Sequence, residues 1–291
     1  MNRVTTNGIE LVYDTFGTPG ARPFLLITGL GCQMIFTDED LCAMLAHSGH
    51  HVVRYDNRDV GLATHLHDAP VPDVTPALTG DPVTAPYLLD DMADDAAGLL
   101  DALGWDSAHV FGVSMGGMIA QTFAIRYPER TRSLTSVMST PSFTIGTPTD
   151  EALAALLSGS SPDRESVVAS AVASARVFGS PGYPLDEERV ARVAGESFDR
   201  SFDPAGWGRQ FGAVIASGDR SEALRGLSVP ALVIHGEDDP LIQVAGGVAT
   251  ADAIPGAKLL TFPGMGHDLP RPLWPEIVAA VTELTERAEG R

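Results

Sequence analysis

A chain of 291 residues with 38 acidic against 19 basic side chains carries a formal net charge of −19, which repels phosphate backbones and anionic lipid headgroups and argues against nucleic-acid or membrane partners. Its 44% hydrophobic content is enough for a sizeable core, while Cys32 and Cys42 are too few for a disulfide framework or a four-thiolate zinc centre. No apolar run approaches the ~20 residues of a membrane span and Met1 to Thr6 lacks the apolar stretch of a secretory signal, so the expectation is a soluble cytoplasmic enzyme, monomer or homodimer, acting on a small molecule without cofactor or metal.

Val4 to Thr6, the Asn7-Gly8 turn and Ile9 to Tyr13 read as a β-hairpin. A repeated beat of short apolar run, turn and helical segment follows. Strands are expected at Phe24–Ile27, His51–Tyr55, Ala108–Phe111 and Leu134–Met138, with helices at Leu41–His47, Tyr87–Leu103 and Met115–Tyr127. Gly104 and Pro128 stop the last two helices. The Pro- and Thr-rich stretch Val71–Pro86 reads as a surface loop. Strands alternating with helices imply an α/β fold, a mostly parallel sheet flanked by helices.

After Met138 the beat breaks. Helical stretches at Asp150–Leu157, Arg164–Val177, Glu187–Ser197 and Trp207–Ser217 come with no convincing strand. The beat resumes with strands at Ala231–Ile234 and Ala257–Phe262 and a closing helix from Pro275 to Arg287. The expected organisation is a core of residues 1–140 and 227–291 with a helical cap inserted at 141–226.

Gly112-Val113-Ser114-Met115-Gly116-Gly117 sits between a predicted strand and its helix. A serine at such a turn projects its hydroxyl from the top of the sheet, and glycines on both sides permit the tight backbone. The Met115 N–H lies at the helix N-terminus, where an oxyanion is favoured. Ser114 occupies the place of the second glycine of a dinucleotide fingerprint, and Met34 occupies the place of the third small residue after Gly29-Leu30-Gly31. Neither turn fits a nucleotide cofactor.

Serine needs a general base. His267, in Gly264-Met265-Gly266-His267 after the last predicted strand, can reach Ser114; His235 reads as structural. The base needs a carboxylate to fix its tautomer. Asp239 is the best candidate in His235-Gly236-Glu237-Asp238-Asp239, though spacing alone leaves Asp238 and Glu237 open. The Gly29 turn could aim the Leu30 N–H at the oxygen that the Met115 N–H faces, completing an oxyanion hole.

The Gly29 turn, Ser114 elbow, Asp239 turn and His267 loop, in this order, resemble the α/β-hydrolase superfamily nearly end to end. Arg54 to Gly61 and Pro263 to Pro270 are similar to capped bacterial carboxylesterases, the aclacinomycin methylesterases among them. The resemblance implies an α/β-hydrolase fold with Ser114 as nucleophile, His267 as base, Asp239 as acid, and Leu30 and Met115 as oxyanion donors. It implies ester hydrolysis through an acyl-enzyme, with a small to medium apolar ester as substrate. Thr28 departs from the pattern, since many members carry histidine before the glycine.

Met138 and the cap aromatics Phe143, Phe178, Phe202, Trp207 and Phe211 are candidates for the substrate pocket. Phe198/Phe202 and Trp207/Phe211 are each four residues apart and would share helix faces; packing of the cap's own core is the competing reading. The alternating charges Arg54, Asp56, Arg58 and Asp59 read as a salt-bridged loop beneath the site. His65-Leu66-His67-Asp68 offers clustered ligands for a metal-dependent lactonase, but no further histidine nearby completes the set. Lactonase, carbon–carbon bond hydrolase and perhydrolase chemistry on the same triad, or a ligand sensor with little turnover, remain open because the cap sets substrate choice.

Overall fold

A computed structural model describes residues 1–159 and 162–290; Ser160 and Ser161 of the expected cap, and Arg291 of the expected core, lie outside it. Eight strands form one sheet: β1 (Asn2–Thr6), β2 (Ile9–Phe16), β3 (Arg22–Ile27), β4 (His50–Asp56), β5 (Ala108–Val113), β6 (Thr131–Val137), β7 (Ala231–Gly236) and β8 (Lys258–Phe262). Their order across the sheet is β1-β2-β4-β3-β5-β6-β7-β8. The β1–β2 hairpin pairs antiparallel to β4, and every other neighbour is parallel. β3, β5 and β7 read as near-continuous apolar runs because both of their faces are covered.

Helices α1 (Glu39–His47), α2 (Leu89–Leu103), α3 (Met115–Arg126), α9 (Ala245–Ala253) and α10 (Trp274–Glu289) pack on the two faces. Leu99, Leu100, Ile119 and Phe123 of α2 and α3 bury against one face, and Leu41, Leu45, Ile277 and Val281 of α1 and α10 against the other. The α2 helix begins at Leu89 rather than Tyr87 and ends at Gly104, which takes the left-handed φ of 68° that a side chain resists. The sequence reading contains no α9. Its sequence AGGVATADA has two glycines and no apolar stripe, so no period marks it.

Between β6 and β7 the described residues form helices and loops only: α4 (Asp150–Leu157), α5 (Arg164–Phe178), α6 (Glu187–Arg200), α7 (Pro204–Ala216) and the single turn α8 (Ser221–Leu224). Thr149, Asp163, Asp186 and Asp203 each cap a helix by accepting a backbone N–H. The α7 helix starts three residues before the expected Trp207, because Asp203 caps it and Pro204 occupies its first position. Within Val71–Pro86 a 3₁₀ turn spans Thr75–Thr79. Val71 and Pro72 lie so close to α7 that only glycine fits at Gly208 and Gly212.

Ionic contacts tie this insert to the sheet. Arg200 Nη2 donates to Asp56 Oδ2 at 2.6 Å, and Arg209 grips Asp59 through two bonds of 2.9 and 2.7 Å. Both aspartates are fully buried, so removing either partner would strand a charge at a cost of ~3–5 kcal/mol. The other two charges of this segment also find partners: Arg58 pairs with Asp95, and Arg54 with Asp14 and Glu39. No helix among the described residues is long and apolar enough to cross a membrane.

Candidate active site

Ser114 joins β5 to α3 with φ 57° and ψ −122°. That left-handed φ costs a non-glycine residue ~1–3 kcal/mol and persists only where the surroundings enforce it. Here the Ser114 N–H donates to Val137 O at 2.9 Å, and its carbonyl accepts from Ser139 Oγ at 2.9 Å and Gly117 N at 2.8 Å. Helix α3 approaches so closely that a Cβ at Gly116 would strike the Ile27 and Thr28 carbonyls.

His267 follows β8 and Asp239 follows β7, so the sheet delivers both to the edge where Ser114 stands. His267 Nε2 lies 3.0 Å from Ser114 Oγ, and His267 Nδ1 lies 2.7 Å from Asp239 Oδ2. The other Asp239 oxygen accepts the Leu241 and Ile242 N–H groups at 2.9 Å each. Asp238 instead accepts the Gly264 N–H, and Glu237 accepts the Thr261 hydroxyl. Burial would raise the Asp239 pKa, but His267, through its charge and its hydrogen bond, with His235 close by, outweighs it and holds the carboxyl well below the ordinary range. His235 is fully buried, donates from Nε2 to Ile242 O at 2.7 Å and stands 3.5 Å from Asp239 Oδ2.

The β3–α1 connection approaches from the opposite side. A Cβ on Gly29 would lie 3.2 Å from Ser114 Cβ. Thr28 Oγ1 donates to Cys32 O at 3.0 Å, so this departure from the usual histidine closes the turn. Leu30 and Met115 both border the cavity over Ser114, and among the described residues neither N–H donates within the protein. The turn is braced from the insert: Gly31 N–H donates to Gln210 Oε1 at 2.8 Å, while Gln210 Nε2 donates to Arg58 O at 2.7 Å.

The His267 loop is clasped in the same way. His267 N–H donates to Phe178 O at 2.7 Å, Gly266 N–H to Ser180 Oγ at 2.9 Å, and Gly182 N–H to Gly264 O at 2.9 Å. Ser180 Oγ in turn donates to Asp268. Burial raises the Asp268 pKa more than the Ser180 contact lowers it. Gln210, Ser180 and Asp268 escape a reading of the sequence because no local motif marks them; their partners are 179, 86 and 88 residues distant.

A cavity of about 510 Å³ lies between Ser114 and the insert. Of the predicted pocket residues, Met138, Phe143, Phe178 and Phe211 line it. Phe202 and Trp207 do not, and both expectations are corrected. Phe202 lies past the end of α6 at Arg200, still packs on Phe198 with ring centroids 5.2 Å apart, and is 38% exposed; neither ring lines the cavity. Trp207 stacks on Phe211 with ring centroids 5.2 Å apart, one turn earlier on α7, and so lands behind Gly31. Arg54, Asp56, Arg58 and Asp59 are buried away from the cavity.

Comparisons with known proteins bear on the family and the fold. The chain is 27% identical over 98% of its own and the relative's length to rhodomycin D methylesterase DauP of Streptomyces sp. strain C5. It is 24% identical to the bifunctional esterase/perhydrolase DCH of Acinetobacter calcoaceticus, over 93% of this chain and 94% of the other. The meta-cleavage product hydrolase CumD of Pseudomonas fluorescens superposes with a TM-score of 0.76 at 20% identity, covering 99% of this chain and 98% of that one. A family model described as alpha/beta hydrolase fold matches residues 22–270, and the chain belongs to that family.

Proposed function

We propose that the protein is a serine hydrolase that cleaves a carboxylic ester through an acyl-enzyme. The observation that carries the reading is the run from Ser114 Oγ to His267 Nε2 at 3.0 Å and from His267 Nδ1 to Asp239 at 2.7 Å, facing an apolar cavity. Ser114 Oγ attacks the ester carbonyl carbon while its proton passes to His267 Nε2. Asp239 stabilises the imidazolium without taking the proton. The tetrahedral oxyanion accepts from the Leu30 and Met115 N–H groups, each worth ~3 kcal/mol in the transition state. Collapse breaks the bond to the alcohol oxygen, which leaves with the His267 proton. Water then attacks the acyl carbon, gives its proton to His267, and frees the acid and Ser114.

The cavity favours a bulky apolar acyl group, and the similarity to a rhodomycin D methylesterase favours methanol as the leaving alcohol. The test is a panel of p-nitrophenyl esters of rising acyl length beside methyl, ethyl and butyl esters of one aromatic acid, with and without a serine-directed phosphonate. Among the alkyl esters the methyl ester should turn over fastest, p-nitrophenyl turnover should rise with acyl length, and Ser114→Ala should lower turnover on the order of 10⁶-fold. Retention of a tenth of the rate by that variant would sink the nucleophile assignment.

A further inference from the structure

Two histidines of the loop after β4 and one aspartate of the insert converge outside the cavity. His65 Nδ1 lies 2.8 Å from Asp203 Oδ2, and His67 Nδ1 lies 3.7 Å from the same oxygen. The two rings stack at 5.5 Å with an 11° interplanar angle. One donor atom from each of the three residues lies within 4.8 Å of the others.

Two features suit a cation between them. His65 Nε2 stands 3.0 Å from the Gly61 carbonyl oxygen and 3.4 Å from Ser201 Oγ, so the far nitrogen of the ring is anchored. Its Nδ1 faces the Asp203 carboxylate oxygen 2.8 Å away, so the imidazole and the carboxylate present their donor atoms to one point. Charge counting agrees. Asp59 and Asp203 share a single guanidinium, Arg209, which reaches Asp59 at 2.9 and 2.7 Å and Asp203 at 3.2 Å. Asp203 thus has only a shared guanidinium, at 3.2 Å, beside its charge.

A histidine anchored through its far nitrogen to a carbonyl, beside a second imidazole and a carboxylate, is a donor set suited to zinc. Metal bonds of about 2.0 Å in a tetrahedron put ligand atoms about 3.3 Å apart. The separations of 2.8 and 3.7 Å bracket that figure. His67 is 73% exposed, so water can take the fourth position.

We propose that His65, His67 and Asp203 form a Zn²⁺ site that clips the insert to the sheet. None of the three lines the cavity, so the ion stands apart from the reacting carbonyl. Asp203 caps α7, which also carries Gln210 against the Gly31 turn. Imidazole ligands favour zinc over magnesium or calcium. The experiment uses full-length protein stripped with chelator, titrated with ZnCl₂, MgCl₂ or CaCl₂, and read by native mass spectrometry, calorimetry and Tm. Wild type should bind one zinc per chain at micromolar concentration, gain about 5 °C in Tm, and ignore the other two metals. His67→Ala, at a position too exposed to disturb packing, should bind at least about 100-fold more weakly. Asp203→Asn, which keeps the α7 cap, should lose binding too. Absence of a one-to-one complex at micromolar zinc, or unchanged binding in His67→Ala, would overturn the site and leave a plain His65–Asp203 hydrogen bond.

Discussion

Replacing Asp239 by asparagine changes one atom and tests the relay directly. One carboxylate oxygen accepts two backbone N–H groups at 2.9 Å, and the other faces His267 Nδ1 at 2.7 Å. Asparagine has one oxygen for these three donors. With its oxygen toward His267, the NH₂ would meet the Leu241 and Ile242 N–H groups head on and two buried bonds would be lost, at ~1–3 kcal/mol for each orphaned donor. The amide therefore turns its oxygen to the backbone and its NH₂ to Nδ1. That nitrogen must then accept, so the ring hydrogen moves to Nε2, which donates to Ser114 Oγ where it should receive a proton. The expected loss in kcat/KM is ~10⁴-fold, or about 5.5 kcal/mol of transition-state stabilisation. The assay is p-nitrophenyl ester turnover, with circular dichroism and Tm showing that the variant folds. Activity within tenfold of wild type, or an equal loss in Asp238→Asn, would refute the reasoning.

Gly29→Ala should fold, since φ there is not left-handed, but its Cβ would press on Ser114 Cβ at 3.2 Å; a displacement of a few tenths of an ångström predicts about a tenfold fall in kcat with Tm little changed. Ser180→Ala removes the acceptor of the Gly266 N–H and should lower kcat about tenfold while KM moves little, with Ser180→Thr restoring part of it; a fall confined to KM would place Ser180 in binding rather than in holding His267. His109, buried between Ser133 and Glu289, is held below the ordinary histidine pKa, chiefly by burial. The unfolded chain therefore takes up a proton below pH ~6.5 that the native state refuses, and stability falls with pH at up to about 1.4 kcal/mol per unit for this group. Urea midpoints from pH 7.5 to 5 should fall for wild type and fall less for His109→Gln; parallel curves would reject the assignment.

The strands and the serine elbow were legible because their signals are local. An apolar run between turns, or glycines flanking Ser114, states its own conformation. The carboxylate that faces His267 Nδ1 was legible only to within three residues. What separates Asp239 from Asp238 and Glu237 is where each carboxylate finds its donors, and those lie on Leu241, Ile242, Gly264 and Thr261. Helix α9 left no trace, since its burial comes from neighbours rather than from a stripe of its own. Phe202 and Trp207 show the limit of helical spacing: each packs on the partner four residues away, at 5.2 Å between ring centroids, but spacing says nothing of what that pair meets.

The contacts that sequence could not reveal share one property: they run from the insert to the reacting groups. Gln210 holds the turn that carries the Leu30 N–H, and the segment from Phe178 to Gly182 holds the loop that carries His267. The same insert supplies Phe143, Phe178 and Phe211 to the cavity wall. A change in the insert that admits a different acyl group therefore acts on the oxyanion turn and the base as well. On the proposed reaction, substrate choice and proton transfer are coupled through one set of helices, and the buried Arg200–Asp56 and Arg209–Asp59 pairs hold those helices to the sheet. Because that coupling runs through polar contacts of fixed geometry, a substitution that merely resizes the cavity can lower kcat without touching the triad.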